Sequence, residues 1–240
     1  MTGDWEEVAA GVLRRRLAGW DETAGAVAVP GGVLLVDAGP TAAAGAELTR
    51  EACELLGAPV THLVVTHPHF DHILGAGAVT AAFPGVTVHG PRLEGPDPVA
   101  GVVADAVRHG VPAAEAAQAG RLLAAAPCRA VSGDAPVSGP AGGPRARLLD
   151  LGAAHSPHDV AVVVEGTPRV VFCGDLVEES GEPQAGPDAV PARWPAALDR
   201  LLAAGGPDAL YVPGHGAVVG AAFVRAQRDA LRRRFGAAPS

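Results

Sequence analysis

The chain has 240 residues, of which 48% are hydrophobic and 18% are charged. That length suits one globular domain with a substantial core, and no apolar run reaches the about 18 residues that a membrane span needs. With 26 acidic against 18 basic residues, the net charge of −8 argues against a protein that binds nucleic acid. The N-terminus reads MTGDWEEV and has no basic region followed by an apolar one, so we expect no signal peptide and a cytoplasmic location.

The first half of the chain reads as alternating strands and helices. Two apolar runs joined by a Pro-Gly-Gly turn predict a β-hairpin over residues 26–37. Thr41 can cap a helix that Gly57 and Pro59 end. The other elements expected in this half are strands at 11–17, 62–66 and 86–90 and a helix at 73–83.

The second half repeats this order. A strand at 147–151 precedes a second hairpin at 160–175, and a helix near 194–202, a strand at 209–212, a PGHG loop and a helix near 219–235 follow. In each half the second hairpin strand ends in an aspartate, Asp37 in one and Asp175 in the other. Two similar halves of this kind indicate an α/β fold in which sheet packs on sheet with helices outside.

The stretch between the halves, residues 91–144, is the least informative. The spacing of its apolar residues predicts helices at 98–109 and 112–126, followed by a loop at 131–144. A helical insertion that faces the substrate pocket and a plain connector are both compatible with it. We predict a single domain over residues 1–240 that includes this stretch.

The segment HPHFDH carries the strongest chemical signal. It places four metal-capable side chains, His67, His69, Asp71 and His72, just past a buried strand, where binding sites of α/β sheets commonly lie. In an extended turn His67 and His69 share one side while the other two point elsewhere, so the segment can serve two ions. Pro68 interrupts the helix that an H-E-x-x-H site needs. A histidine-rich surface tract is the alternative, and the buried strand before the segment weakens it.

Three more candidate ligands lie far downstream: His155, Asp175 and His215. Asp175 follows an apolar run in which an unpaired carboxylate would be costly, and a cation at that strand end would neutralise it. His215 follows a short buried strand in the same way. The glycines on both sides of His215 let the backbone approach a crowded site.

The ordered set of HPHFDH, GAAHS, GDL and PGHG resembles the metallo-β-lactamase superfamily, with its H-x-H-x-D-H signature. The similarity spans nearly the whole chain, from VDAG at 36–39 to PGHG. It implies a four-layer αβ/βα sandwich of two mixed β-sheets with helices on the outer faces. It also implies a two-metal site in which His67, His69 and His155 hold one ion, Asp71, His72 and His215 hold the other, and Asp175 bridges them.

The donor chemistry agrees with that implication. Imidazole and carboxylate ligands without thiolate suit two Zn²⁺ ions, with Fe or Mn as alternatives. Two such ions can share a hydroxide that attacks a small ester, thioester, lactone or amide, so we expect a binuclear metal hydrolase. Asp71 is also a candidate for passing a proton to the leaving group. Asp37 either orients a ligand imidazole or only ends the hairpin, and His158 either lines the pocket or is solvated.

The main alternative is an oxidoreductase of the same superfamily. Persulfide dioxygenases hold a single iron through positions that match His67, His155 and Asp175. The complete second set of Asp71, His72 and His215 favours the hydrolase. The expected partner is a small-molecule substrate, with no role for nucleic acid or a membrane, and the sequence does not indicate an oligomeric state.

Overall fold

The computed structural model describes residues 4–93, 97–137 and 145–236. The α-helices in those ranges are α1 (Ala42–Leu56), α2 (Phe70–Ile73), α3 (Ala76–Ala82), α4 (Pro98–Arg108), α5 (Ala113–Ala125), α6 (Trp194–Gly205) and α7 (Ala221–Phe235). The strands are β1 (Trp5–Ala9), β2 (Val12–Arg16), β3 (Thr23–Val29), β4 (Gly32–Val36), β5 (Val60–Val64), β6 (Thr87–Gly90), β7 (Arg129–Ala130), β8 (Ala135–Val137), β9 (Ala146–Gly152), β10 (Asp159–Val164), β11 (Val170–Phe172), β12 (Leu210–Val212) and β13 (Val219–Gly220).

The strands form two mixed sheets. The first has the order β1-β2-β3-β4-β5-β6-β7 and the second the order β13-β12-β11-β10-β9-β8. Both contain the predicted repeat: the β3–β4 hairpin leads through α1 to the parallel strand β5, and the β10–β11 hairpin leads through α6 to the parallel strand β12. The two predicted hairpins are therefore confirmed, and each half uses the same hairpin, helix and parallel strand.

Side-chain alternation along the strands builds four layers. In β4, Leu34 and Val36 join the core between the sheets, whereas Val33 and Leu35 pack with helices α1, α3, α4 and α5. The same period of two places Val162 of β10 between the sheets and Val163 against α6 and α7. The predicted sandwich of two sheets with outer helices is confirmed, and its central strands β4 and β10 are buried on both faces.

The edge strands of the two sheets were not predicted from the sequence. Strand β1 was not expected, and β8 lies within the predicted loop at 131–144, of which residues 138–144 are outside the described ranges. β8 has three residues, and Pro136 at its centre is tolerated because β8 is an edge strand. So short a strand gives no readable alternation. None of the helices in the described ranges is long and apolar enough to cross a membrane.

The two sheets approach closely at Gly25 of β3. A methyl group built there would stand 2.4 Å from Cε1 of Phe172 in β11. We predict that Gly25→Ala lowers the free energy of unfolding by about 1–3 kcal/mol, because an overpacked core must shift side chains or backbone. Urea denaturation measures this change.

A double-mutant cycle identifies the cause of the loss. Phe172→Leu removes the ring that obstructs the new methyl group, so the double variant is expected to lose less stability than the sum of the two single variants. Strict additivity would contradict the assignment of the clash to Phe172.

Candidate metal centre

Six of the seven candidate ligands follow the carboxyl ends of parallel strands in the two sheets, and His155 lies between β9 and β10. His67 to His72 follow β5, Asp175 follows β11, and His215 follows β12. Because β5, β11 and β12 each have a parallel neighbour, their carboxyl ends meet at one edge of the sandwich. Within HPHFDH, His69 is extended and α2 begins at Phe70, so that the backbone changes direction between the first two histidines and the Asp71–His72 pair.

The structure brings all seven candidates together in two groups. The first group is His67, His69, His155 and Asp175, and the second group is Asp71, His72 and His215. Within each group the potential ligand atoms all lie within 4.8 Å of one another. The division follows the one that the resemblance implied.

The distances in the first group fit a small metal ion. Nε2 of His155 lies 3.0 Å from Nδ1 of His69. Oδ2 of Asp175 lies 3.5 Å from Nε2 of His67 and 3.4 Å from Nε2 of His155. Donors placed tetrahedrally at about 2.0–2.1 Å from an ion stand about 3.3 Å apart. The first group therefore has the dimensions of a zinc-type site.

The second group shares these dimensions and reaches the same aspartate. Oδ2 of Asp71 lies 3.5 Å from Nε2 of His72 and 3.4 Å from Nε2 of His215. The carboxylate of Asp175 lies 3.2 Å from Nε2 of His72 through Oδ1 and 3.4 Å from Nε2 of His215 through Oδ2. Asp175 thus stands between the groups, where a bridging ligand must stand.

Hydrogen bonds from outside the cluster orient the imidazoles. Nδ1 of His72 lies 2.9 Å from Oδ2 of Asp37, and Nε2 of His69 lies 3.1 Å from Oδ2 of Asp188. Nδ1 of His215 lies 2.8 Å from the carbonyl oxygen of Trp20. In the neutral form of each imidazole the acceptor takes the proton of the outer nitrogen, so that the lone pair of the other nitrogen can face the cluster, as a metal ligand requires.

Asp37 orients histidines of both groups. Its carboxylate accepts hydrogen bonds from the backbone N–H of Thr66 at 2.7 Å and from the Thr66 hydroxyl at 2.8 Å, in addition to His72. Since the Thr66 hydroxyl donates to Asp37, its oxygen accepts from Nδ1 of His67, 3.0 Å away. The structure therefore places Asp37 behind the cluster, in contact with a candidate ligand, and not only at the end of a hairpin.

Several buried atoms at the centre of the cluster have no hydrogen-bond partner among the described residues. They include Nε2 of His67, Nε2 of His72 and Oδ1 of Asp175. A buried polar atom without a partner costs about 1–3 kcal/mol. Cations bound between the two groups would satisfy these atoms, and the donor set therefore fits a metal centre.

The protonation states also suit cation binding. Burial lowers the pKa of His67 to about 4 and that of His155 to about 3, so both imidazoles are neutral at pH 7. Burial alone would raise the pKa of Asp175, but His67 and His72 hold it well below its usual range. Neutral imidazole and ionised carboxylate are the forms that bind metals.

The second group holds protons where a cation could lie. Burial opposes protonation of His215, but hydrogen bonds with Asp175 and Asp71 raise its pKa to about 11. The pKa of His72 is also raised well above its usual value, because Asp175 and Asp71 outweigh the effect of burial. A cation that binds here must displace these protons, so binding releases protons and weakens as the pH falls.

A cavity of about 650 Å³ opens above the cluster. Asp71, Asp175 and His215 line its floor, together with His69 and His155. Arg92, Leu93 and helix α4 form one wall of this cavity. Phe70 adds an apolar surface that packs edge-on against Trp20 and stacks on His109. The volume suits a small molecule.

One candidate of the sequence analysis lies outside the cluster, and one residue that contacts the cluster was not a candidate. His158 lies outside the cluster: its Nε2 is 3.1 Å from Oδ1 of Asp150, and its Nδ1 accepts from the backbone N–H of Arg92. It is not among the described residues that line the cavity. Asp188, which orients His69, was not identified, because it lies in an irregular segment without periodicity or motif.

Comparisons with known proteins identify the family and the fold of the chain. The family model of the metallo-β-lactamase superfamily matches residues 19–215, and the chain belongs to that superfamily. It is similar in structure to a metallo-β-lactamase from Hirschia baltica, with a TM-score of 0.67 and 18% identity over 95% of this chain and 97% of that one. It is equally similar to the metallo-β-lactamase FIM-1 from Pseudomonas aeruginosa in a mono-zinc form, with a TM-score of 0.67 and 19% identity over 96% and 95% of the two chains. At these identities the two structures support the fold alone.

The role of Asp37 can be tested with Asp37→Asn. Asparagine tolerates the left-handed φ of 61° at this position, so the backbone is preserved. An amide nitrogen cannot accept, so at least one of the three donors loses its partner, and the free energy of unfolding should fall by about 1–3 kcal/mol. Denaturation measures this loss, and the nitrogen chemical shifts of His72 report whether its proton still lies on Nδ1.

The matched control is Asp188→Asn. This carboxylate is 38% exposed and accepts from one imidazole, so the same substitution should cost less than about 1 kcal/mol. Equal losses in the two variants would contradict the special position of Asp37.

Proposed function

We propose that the protein is a metal-dependent hydrolase that holds two divalent cations, zinc in the first instance, and acts on a small ester, thioester, lactone or amide. The observation that supports this most is the assembly of two complete donor groups about Asp175 at the floor of a cavity. The first group would hold one cation, the second group the other, and Asp175 both. The same donors would also accept Fe or Mn.

The residues of the chain have distinct parts in such a reaction. A divalent cation in a site of this kind supplies Lewis acidity, which polarises a carbonyl oxygen and makes a nearby water a stronger acid. Trp20, Phe70 and Val102 present apolar surface against which the body of a substrate can pack and exclude water. Asp71 reaches the cavity while its Oδ2 contacts His72 and His215, so its carboxylate is placed to take the proton that an attacking water releases and to pass it to a leaving group.

The second group separates this proposal from the iron-dependent oxidoreductase. A single iron would need only His67, His155 and Asp175, whereas Asp71, His72 and His215 are also assembled, with His72 oriented by Asp37 and His215 by Trp20. Asp71 and His215 moreover line the cavity, so the second group faces a bound substrate. This arrangement supports a reaction that uses both groups.

Metal content tests the proposal directly. Protein purified without added metal or chelator should carry about two zinc ions per chain by elemental analysis, since two donor groups share a bridging carboxylate. His69→Ala combined with Asp175→Ala should lose this metal, because the pair removes a donor of the first group and the ligand common to both. His158→Ala is the control: this histidine lies outside the cluster, so metal content should be retained.

The other outcomes are equally informative. About one iron per chain, with oxygen consumption and no hydrolysis, would support the oxidoreductase of this fold. Absence of bound metal from the wild-type protein, even after incubation with zinc, would contradict the hydrolase proposed here.

The proton-transfer role of Asp71 predicts a dependence on the leaving group. In metal-saturated Asp71→Asn, kcat should fall about 10²–10⁴-fold for an alkyl ester or amide, whose leaving group needs a proton. The loss should be much smaller for a p-nitrophenyl ester, because p-nitrophenolate leaves without one. Elemental analysis of the same sample establishes metal occupancy, and an equal loss on both substrates would show that Asp71 does not act as the proton donor.

A further inference from the structure

Glu22 is a buried acid that neither the family signature nor the two donor groups include. It lies between β2 and β3, its exposure is 1%, and neither of its carboxyl oxygens has a hydrogen-bond partner among the described residues. Glu51 is buried to the same degree, but its carboxylate pairs with Trp5 and Arg15. The buried Asp159 likewise accepts from Ser156 and Ala154. Glu22 thus lacks the compensation that these other buried acids have.

The position of Glu22 is fixed against the second group. Its backbone forms an antiparallel β-bridge with His215, and the adjacent N–H of Thr23 donates to the carbonyl of Gly214 at 2.7 Å. Burial raises the pKa of Glu22 to about 7, and His72, Asp71 and His215 are charged groups that also act on its carboxyl. These three residues are the whole of the second group. Glu22 therefore stands beside the second group.

More carboxylates adjoin the second group than the first. The first group contains Asp175 and has Asp188 behind His69. The second contains Asp71, shares Asp175, and has Asp37 behind His72. A buried ionised acid is stable only when it is paired or close to a cation, and the chain supplies no arginine to Glu22 among the described residues. A divalent cation held by the second group would supply that charge.

We propose that Glu22 is a positioning residue of the second group, whose carboxylate increases the affinity of Asp71, His72 and His215 for a divalent cation without being one of its ligands. This inference rests on the two-cation centre proposed above. Residues outside the ligand shell commonly change metal affinity 10- to 100-fold. The effect should be confined to one of the two cations, because Glu22 adjoins one of the two groups.

The test is a zinc titration of chelator-treated protein against a chromogenic competitor, which resolves a dissociation constant for each cation. Glu22→Gln should raise the dissociation constant of the cation that the second group binds by about 10- to 100-fold. The dissociation constant of the other cation should change by less than about threefold. Asp71→Asn identifies which constant belongs to the second group. Glu22→Met repeats the measurement with an apolar side chain of similar length, in case the buried amide impairs folding.

The matched control is Glu178→Gln. Glu178 also forms a β-bridge with His215, but its carboxylate accepts from the backbone and hydroxyl of Ser180. Because this carboxylate is hydrogen-bonded and only half-buried, so that solvent screens its charge, Glu178→Gln should change both constants by less than about threefold. An equal effect of Glu178→Gln and Glu22→Gln would overturn a specific role for Glu22.

A second readout separates this role from a structural one. Without metal, an unpaired buried carboxyl destabilises the chain, so Glu22→Met should melt at or above the wild-type temperature. With zinc, its gain in melting temperature should be smaller than that of the wild type. A residue needed only for folding would lower the melting temperature of the metal-free protein and leave the gain unchanged.

The outcomes distinguish this inference from the proposed function. Two zinc ions in the wild type with unchanged constants in both Glu22 variants, or with both constants weakened alike, overturn the role of Glu22 and leave the hydrolase proposal standing. A wild-type chain that binds no zinc, or only one zinc that Asp71→Asn does not affect, overturns the two-cation centre and the role of Glu22 with it.

Discussion

The structure depends on one crowded contact, in which the largely buried carboxylate of Asp175 lies among four imidazoles. His67, His72, His155 and His215 all have a nitrogen within 3.5 Å of this side chain. Groups so close together, and so well removed from water, would not stay in place by their mutual attraction alone. Each has to be held from outside, and the rest of the fold supplies those restraints.

Backbone shape makes the approach possible. Gly174 has a φ of 53°, and a methyl group there would meet the hydroxyl of Thr66 at 2.8 Å. A methyl group on Gly214 would stand 1.8 Å from Oδ1 of Asp175. The N–H of Gly214 donates to the carbonyl of Gly174, which ties the ends of β11 and β12 together. Side chains at either position would push the loop of Asp175 away from that of His215, so glycine is a geometric requirement here.

The features that could be predicted from the sequence are those that repeat along the chain or cluster in short motifs. The two hairpins, the helices and the division of the seven candidate ligands follow from periodicity, from Gly and Pro at turns, and from a resemblance carried by ordered motifs. Sequence reasoning missed Asp188, Thr66 and Glu22, which act on the cluster from separate stretches of chain. A single aspartate in an irregular segment, or a glutamate beside a strand, looks the same in a sequence whether it faces solvent or a buried imidazole. Only the tertiary packing distinguishes the two cases.

The cluster also couples the two halves of the chain. His67, His69, Asp71 and His72 come from the first sheet's side and His155, Asp175 and His215 from the second, so that neither donor group is complete within one half. The packing of β3 and β4 on β10 and β11 therefore sets the distances between the ligand atoms. Conversely, any cation that binds across the groups favours the closed packing of the sheets by mass action. The packing between the two sheets and the affinity of the centre for cations therefore depend on each other.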